Sequence, residues 1–203
     1  MSALPRLLCY LDDRIAARDD LGVLLAAAAA AGPEVGIVAR MPGGTADQLT
    51  RLAARAVANA GPPAAAVFVT GRFDIARAVG AQGVILRTTD LPPGEVPASL
   101  LRIASVHSVE EARHAIAEGA DALVVGTIWE SGSHPGRPGA GTGLISASAA
   151  LGKPVYAIGG VTPERAREAA AAGAFGVAAI RAVWESRRPY QAAGELLDAV
   201  RFG

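Results

Sequence analysis

Eight short apolar segments recur along the chain, each separated from the next by an alanine-rich, charge-bearing stretch with helical spacing. The segments are nearly all apolar, which is typical of strands that are buried on both faces of a parallel sheet. Strict alternation of such strands with helices favours right-handed crossover connections. The predicted strands are Leu7–Tyr10, Val35–Ala39, Ala66–Thr70, Gly83–Leu86, Leu101–Ala104, Ala122–Val125, Val155–Ile158 and Gly176–Ala179.

Helix-end signals support the same reading of the intervening stretches. Thr45 followed by Gln48 predicts a capping box, and Gly119 and Gly173 stand where a helix is expected to end in a left-handed glycine. A weaker helical segment is predicted over Gly94–Leu100. The predicted helices are Leu21–Ala31, Ala46–Asn59, Phe73–Val79, Val109–Glu118, Ser146–Leu151, Pro163–Ala172 and Tyr190–Val200.

The choice between an open doubly wound sheet and a closed barrel depends on the first strand. No Gly-x-Gly-x-x-Gly pattern follows it, as a dinucleotide-binding open sheet would require. The 203 residues suffice for a compact barrel, whose lower limit is about 200 residues. We therefore predict the α/β class and a single (β/α)₈ TIM barrel in one domain over residues 1–203.

Charge and composition exclude several classes of function. The chain has 19 basic and 19 acidic residues, so no basic face is implied and nucleic acid is not an expected partner. The apolar tract Ala26–Ala31 is too short to span a membrane, and no secretory signal pattern is present, so we expect a cytoplasmic protein. Cys9 is the only cysteine, which excludes an internal disulfide.

The strongest functional signal lies after the seventh predicted strand. There Gly159-Gly160 leads directly into a helix that begins at Thr162-Pro163, and the facing loop contains Ile180 and Arg181. Glycine allows close approach of the backbone to a ligand, and a helix start offers free N–H groups to an anion. In barrels a phosphate site recurs at the loops after strands seven and eight. The alternative is that the two glycines only form a tight turn.

A long loop rich in Gly, Ser and Pro covers residues 126–143, which is typical of an active-site lid. Ser131 and Ser133 can donate hydrogen bonds to a phosphate, and His134 or Arg137 can close over it. The alternative is a surface loop without a role.

Nearly the whole chain resembles the thiamine phosphate synthase and TenI-like superfamily, through motifs whose order and spacing match. The resemblance implies a (β/α)₈ barrel, commonly a homodimer, that binds a thiazole phosphate and, in the synthases, a pyrimidine pyrophosphate with Mg²⁺. The motifs are Tyr10-Leu-Asp-Asp-Arg14, Gly80-Ala-x-Gly-Val84, Asp90-Leu-Pro92, Ser105-Val-His-Ser108, Glu110-Glu-Ala112, Gly119-Ala-Asp121, Gly126-x-Ile-Trp129, Ala157-Ile-Gly-Gly-Val161 and Gly176-Val-Ala-Ala-Ile180.

Departures from the synthase pattern concern the groups that hold the metal and the pyrophosphate. Of a Gln-x-Arg-x-Lys motif only Arg40 remains, and Thr70-Gly71 replaces Asn-Asp, whose Asp is a metal ligand. Asp90 matches the second metal-binding Asp of the synthases, whereas Ser131 to His134 replaces their Thr-x-Thr-Lys and loses the lysine. Mg²⁺ and pyrophosphate need carboxylates and cations, so these losses predict severely impaired synthase catalysis.

The main functional prediction is therefore a TenI-like isomerase, which moves a proton on a thiazole phosphate without any cofactor. Glu130 matches that group, but Thr127 stands where its catalytic histidine is expected, so His107 and His134 are the candidate acid/base residues. The alternatives are a diverged synthase, which would need Mg²⁺, and a non-catalytic phosphate-binding or regulatory barrel. The predicted substrate-binding residues are Arg40, Thr70, Arg72, Asp90, Thr127 and Glu130, and the predicted phosphate-binding residues are Ser131, Ser133, Gly159, Gly160, Ile180 and Arg181.

Overall fold

The computed structural model describes residues 4–61, 64–131, 136 and 138–202, and they form a closed barrel of eight parallel strands. Each strand pairs with the next along the chain, and the eighth pairs with the first, which confirms the predicted (β/α)₈ fold. The strands are β1 Leu7–Tyr10, β2 Val35–Ala39, β3 Ala66–Thr70, β4 Gly83–Arg87, β5 Leu101–Val106, β6 Ala122–Gly126, β7 Val155–Ile158 and β8 Gly176–Ala179.

The helices pack around the barrel, and the connection between β4 and β5 contains only a 3₁₀ turn at Pro93–Glu95. Within the described ranges, no helix has the length and apolar character that crossing a membrane requires. The helices are α1 Asp13–Ala16, α2 Leu21–Ala29, α3 Ala46–Ala60, α4 Phe73–Val79, α5 Val109–Ala117, α6 Thr142–Ala149, α7 Pro163–Ala171, α8 Arg181–Trp184 and α9 Pro189–Arg201.

The structure corrects the prediction at three helices. The short helices α1 and α8 were not predicted, because four residues are too few to show helical periodicity. Helix α6 begins at Thr142 and not at Ser146. The backbone N–H groups of Ala140 and Gly141 donate to the carbonyls of residues 127 and 128, at 2.9 and 3.0 Å, so the long loop is already closed there.

Side chains along each strand point alternately to the outside and the inside of the barrel, and they form two apolar layers. One layer fills the space between barrel and helices and includes Leu7, Cys9 and Trp184. The other fills the barrel itself, and its buried members are Leu8, Tyr10, Val38, Ala66, Phe68, Ile85, Ile103, Ala122, Val124, Tyr156 and Ala178.

The amino-terminal end of the barrel is closed by side chains. The Tyr156 hydroxyl donates to the carbonyl oxygen of Pro5. The guanidinium of Arg6 donates to the carbonyl of Phe175 at 3.0 Å and stacks over the Phe175 ring, 4.7 Å from its centre. A ligand therefore has access to the barrel from its carboxyl end.

Candidate active site

A cavity of about 550 Å³ opens at the carboxyl ends of the strands. The residues of its floor follow from the two-residue period of a strand. From β2 to β8, each floor residue lies two positions beyond a buried side chain of the barrel interior. With Tyr10 from β1, these floor residues are Tyr10, Arg40, Thr70, Arg87, Ser105, Gly126, Ile158 and Ile180.

Most of the predicted site residues come together around this cavity. Glu130 is not among its lining residues, since its Oε1 instead accepts a hydrogen bond from the backbone N–H of Gly136 at 3.2 Å. Ser133, His134 and Arg137 lie outside the described residues. The predicted residues that line the cavity are Arg40, Thr70, Arg72, Asp90, His107, Thr127, Ser131, Gly159, Gly160, Ile180 and Arg181.

The Gly159-Gly160 turn has room for glycine alone. Both residues have positive φ, 100° and 66°. A Cβ on Gly159 would lie 2.4 Å from Cγ2 of Thr127, and one on Gly160 would lie 2.5 Å from the carbonyl oxygen of Glu130. The turn is also fixed from outside, because the Arg165 guanidinium donates to the Gly160 carbonyl at 2.7 Å. It is therefore a rigid loop seated under the loop that follows β6.

Backbone donors are available on both sides of this turn. Within residues 4–61, 64–131, 136 and 138–202, no acceptor is found for the N–H groups of Gly160, Arg181 and Ala182. Arg181 and Ala182 are the first residues of α8, where N–H groups have no partner inside the helix. These groups can bind the oxygens of a phosphate, which is the arrangement that recurs after strands seven and eight of such barrels.

The side chains that line the cavity make it cationic. Among the described lining residues, Asp90 is the one carboxylate, against the four guanidinium groups of Arg40, Arg72, Arg87 and Arg181. Arg72 is exposed and is paired with Asp74, whose Oδ1 lies 2.8 Å from its Nε. An excess of positive charge in a cleft attracts and holds anionic ligands.

The Asp90 carboxylate is held by Arg87. Nε of Arg87 lies 3.1 Å from Oδ2 of Asp90 and Nη2 lies 2.7 Å from Oδ1, while the Arg87 backbone N–H donates to Oδ2 at 2.8 Å. Burial alone would raise the pKa of the Asp90 carboxyl, but these hydrogen bonds and the positive charge of Arg87 hold it below its ordinary value. The pair is therefore ionised at neutral pH.

An Asp90→Asn variant should show over which pH range the Arg87–Asp90 pair stabilises the fold. A carboxyl whose pKa is lowered by folding stabilises the folded state fully at pH values above its unfolded-state pKa, which is about 3.9 for Asp. This stabilisation is lost as the pH falls through the pKa of the carboxyl in the folded protein. We expect the difference in melting temperature between wild type and variant to stay constant from about pH 8 to 5 and to shrink below about pH 4. A difference that already shrinks between pH 8 and 6 would contradict this assignment.

The residues do not fit the Mg²⁺ ion that the synthase resemblance implies. Across the described ranges, no cluster of three or more His, Cys, Asp or Glu side chains can hold a metal. Asp90 has both oxygens engaged by Arg87, and Gly71 carries no ligand where the synthases have their first aspartate. Mg²⁺ requires oxygen ligands, and here a guanidinium already binds the only carboxylate that lines the described cavity wall.

His107 is held in one tautomer. Its Nδ1 contacts the carbonyl oxygen of Gly126, which has no proton to give, so Nδ1 carries the proton and donates. The Glu111 carboxylate accepts the His107 backbone N–H at 2.7 Å, which fixes the start of α5. In this tautomer, Nε2 is the nitrogen that can accept a proton from a ligand.

Thr70 has a structural partner, and Tyr10 resists ionisation. The Thr70 hydroxyl donates to the Ala39 carbonyl at 3.3 Å, so it ties β3 to β2. Burial raises the pKa of Tyr10, an effect that the Arg40 charge only partly offsets. The Tyr10 hydroxyl therefore stays protonated and can donate a hydrogen bond, but it cannot serve as a base.

Three of the floor residues have polar side chains for which the sequence analysis predicted no role, namely Arg87, Tyr10 and Ser105. Each lies two positions beyond an apolar residue of the same strand that points into the barrel, so the two-residue period could have identified it. Arg87 in particular stands two residues beyond Ile85, which belongs to the barrel interior.

Comparison with known proteins connects this site to one family. The sequence model of a family described as "Thiamine monophosphate synthase" matches residues 8–183. A thiamine-phosphate synthase of Salinispora arenicola is 36% identical over 98% of this chain and 99% of its own length. One of Thermus thermophilus is 38% identical over 64% of this chain and 66% of its own length.

A solved structure shows the same architecture. A thiamine phosphate pyrophosphorylase from Pyrococcus furiosus superposes with a TM-score of 0.80 at 27% identity, covering 98% of this chain and 97% of that one. These comparisons support the synthase alternative, and they give no support to the isomerase that the sequence reading preferred.

Proposed function

We propose that this chain, which belongs to the thiamine monophosphate synthase family, joins a thiazole phosphate to a pyrimidine that carries a diphosphate. In this reaction the thiazole ring nitrogen bonds to the methylene carbon of the pyrimidine as the carbon–oxygen bond to the diphosphate breaks. Diphosphate then leaves with its electron pair. The proposed substrates are therefore two small phosphorylated heterocycles.

The observation that carries the proposal is the position of two anion-binding walls on opposite sides of one cavity. The free N–H groups follow β7 and β8, at Gly160 and Arg181. Arg72 and Arg87 lie at the ends of β3 and β4, which face β7 and β8 across an eight-stranded barrel. The thiazole carboxylate phosphate of an isomerase also has two anionic groups, but its carboxylate carries a single charge. A wall with several arginines matches the higher charge of a diphosphate better.

Each wall suits one substrate. The backbone cradle after β7 and β8 fits a single phosphate, which we assign to the thiazole, because its rigid turn offers a few fixed N–H groups. The arginines on the other wall suit the diphosphate, since guanidinium groups bind phosphate oxygens through paired hydrogen bonds. The cavity between them can enclose the two rings.

Isomerisation of a thiazole carboxylate phosphate is the second candidate. It is favoured by His107, whose fixed tautomer leaves Nε2 free to move a proton. A His107→Asn variant keeps a side-chain donor for the Gly126 carbonyl but lacks a titratable nitrogen. Isomerisation should therefore be lost in this variant, while the synthase reaction should be reduced less than about tenfold.

A direct assay separates the candidates. The purified chain is incubated with thiazole phosphate and hydroxymethylpyrimidine diphosphate, and thiamine phosphate and free diphosphate are measured; a parallel sample receives the thiazole carboxylate phosphate alone. We expect equal amounts of thiamine phosphate and diphosphate. Isomerisation without thiamine phosphate would establish the second candidate, and ligand binding with neither reaction would favour a non-catalytic barrel.

The assembly of the chain stays a prediction. The resemblance implies a homodimer, and light scattering coupled to size-exclusion chromatography measures the mass directly. A chain of 20.5 kDa should then elute as a species of twice that mass.

A further inference from the structure

We infer that this chain binds its diphosphate group without a divalent metal ion, and that the Arg87 guanidinium, braced by Asp90, supplies the positive charge instead. The inference rests on the proposed function, because it concerns the wall that we assign to the diphosphate. It reverses the expectation that loss of the metal ligands impairs catalysis.

One of the two carboxylates that the synthase resemblance implies for a metal site is absent. The Asp90 carboxylate lies directly over Gly71, since a Cβ on Gly71 would be 3.1 Å from Oδ2 of Asp90 and 3.2 Å from Oδ1. Gly71 also has a φ of 70°, which side chains other than Asn and Asp seldom adopt. Two carboxylates at these positions would face each other closely enough to share an ion, but here one of them is missing.

Arg87 engages the carboxylate that such an ion would need. It contacts both oxygens of Asp90 and fixes the carboxylate that would otherwise be an unpaired charge on the cavity wall. The Asp90 side chain is only 9% exposed, whereas that of Arg87 is 66% exposed. The guanidinium thus covers the carboxylate and stays largely exposed at the edge of the cavity.

The outer side of Arg87 can still bind a ligand. A guanidinium has five N–H donors, and the contacts with Asp90 engage only Nε and Nη2. The Nη1 donors remain for phosphate oxygens. A guanidinium that is held in place by a carboxylate loses less freedom when it binds a ligand than a flexible side chain would.

Neighbouring residues strengthen the positive charge of this wall. Arg72 follows β3 and Arg40 follows β2, so three successive strands each place an arginine at the cavity. Asp90 offsets one of these charges and Asp74 pairs with another. The wall therefore keeps a net positive charge that can partly neutralise a diphosphate leaving group.

The test is calorimetric titration with inorganic pyrophosphate in excess EDTA, using the wild-type chain, Arg87→Ala and Arg77→Ala. Arg77 is an exposed arginine of α4 that does not line the cavity, so it controls for the loss of one charge. We expect binding by the wild type and by Arg77→Ala, and an at least tenfold weaker affinity for Arg87→Ala. Arg87→Lys keeps the positive charge but not the paired donors of the guanidinium, so its affinity for pyrophosphate should lie between those of the wild type and Arg87→Ala.

A second measurement does not depend on whether Arg87→Ala folds normally. Mn²⁺, used as a stand-in for Mg²⁺, is titrated into the wild type and into the double variant Gly71→Asp/Arg87→Gly, with bound ion detected by electron paramagnetic resonance. We expect no bound Mn²⁺ in the wild type and measurable binding in the variant, which restores two facing carboxylates. Tight Mn²⁺ binding by the wild type, or pyrophosphate binding only when metal is added, would overturn the inference.

These outcomes differ from a failure of the proposed function. If pyrophosphate binds in EDTA through Arg87 but no thiamine phosphate forms, the synthase proposal fails and the anion site stands. If thiamine phosphate forms only with added Mg²⁺, and pyrophosphate does not bind in EDTA, the function stands and the inference is wrong.

Discussion

A Gly160→Ala variant should lose about tenfold to a hundredfold in affinity for inorganic phosphate and for the thiazole phosphate, because the N–H groups of the turn would move away from the ligand. The new methyl group would lie 2.5 Å from the backbone carbonyl oxygen of Glu130 and 3.0 Å from Nη1 of Arg165. A backbone oxygen cannot give way as a flexible side chain can. Calorimetric titration of the folded variant measures the loss.

Gly80→Ala is the matched control for this variant. Gly80 ends α4 with a φ of 75°, so the substitution introduces the same backbone strain, but a Cβ there has no neighbour within 4 Å. Both variants should lose about 1–2 kcal/mol of unfolding free energy from that strain, while only Gly160→Ala should lose phosphate affinity. Equal phosphate affinity in the two variants would contradict the assignment of the cradle.

A Trp184→Ala variant should lower the free energy of unfolding by about 3–5 kcal/mol, measured by urea denaturation. Trp184 is 1% exposed, and its indole Nε1 donates to the Tyr10 carbonyl at 2.7 Å. This side chain fastens α8 to β1. Its loss leaves a large cavity and an unpaired carbonyl directly beneath the helix whose first N–H groups face the ligand.

Trp184→Phe separates the contribution of the buried ring from that of the Nε1 hydrogen bond. It keeps an aromatic ring in the same space and removes the hydrogen bond, so we expect a loss of about 1–3 kcal/mol. Phosphate affinity should fall more in Trp184→Ala than in Trp184→Phe, since α8 carries Arg181. If both variants unfold like wild type, α8 is not fastened in this way.

Most of the fold follows from the sequence, because a parallel barrel buries both faces of every strand. The apolar runs Leu7–Tyr10 and Val155–Ile158 therefore mark their strands without ambiguity, and both have the predicted bounds. The errors occur where the ends depend on distant contacts. Helix α6 begins early because the chain folds back onto residues 127 and 128, and a contact of this kind leaves no local trace in the sequence.

The site could be predicted in part for the same reason. Gly159, Gly160 and Arg181 follow strands in sequence and meet at the cavity, as parallel strands require. Arg87 follows the predicted fourth strand, where site residues are expected, but no role was predicted for it, because its position alone does not indicate what it contacts. Sequence shows that a ligand such as the one expected at Gly71 is missing, but the contact of the Arg87 guanidinium with Asp90 depends on side-chain geometry.

The most direct test of the phosphate cradle is a titration of the ¹⁵N-labelled chain with inorganic phosphate, followed by NMR of the assigned backbone amides. We expect the largest shifts at Gly160, Arg181 and Ala182, with the surrounding helices unaffected and the shifts abolished in Gly160→Ala. Large shifts confined to other loops, or none at saturating phosphate, would contradict the phosphate cradle on which the proposed function rests.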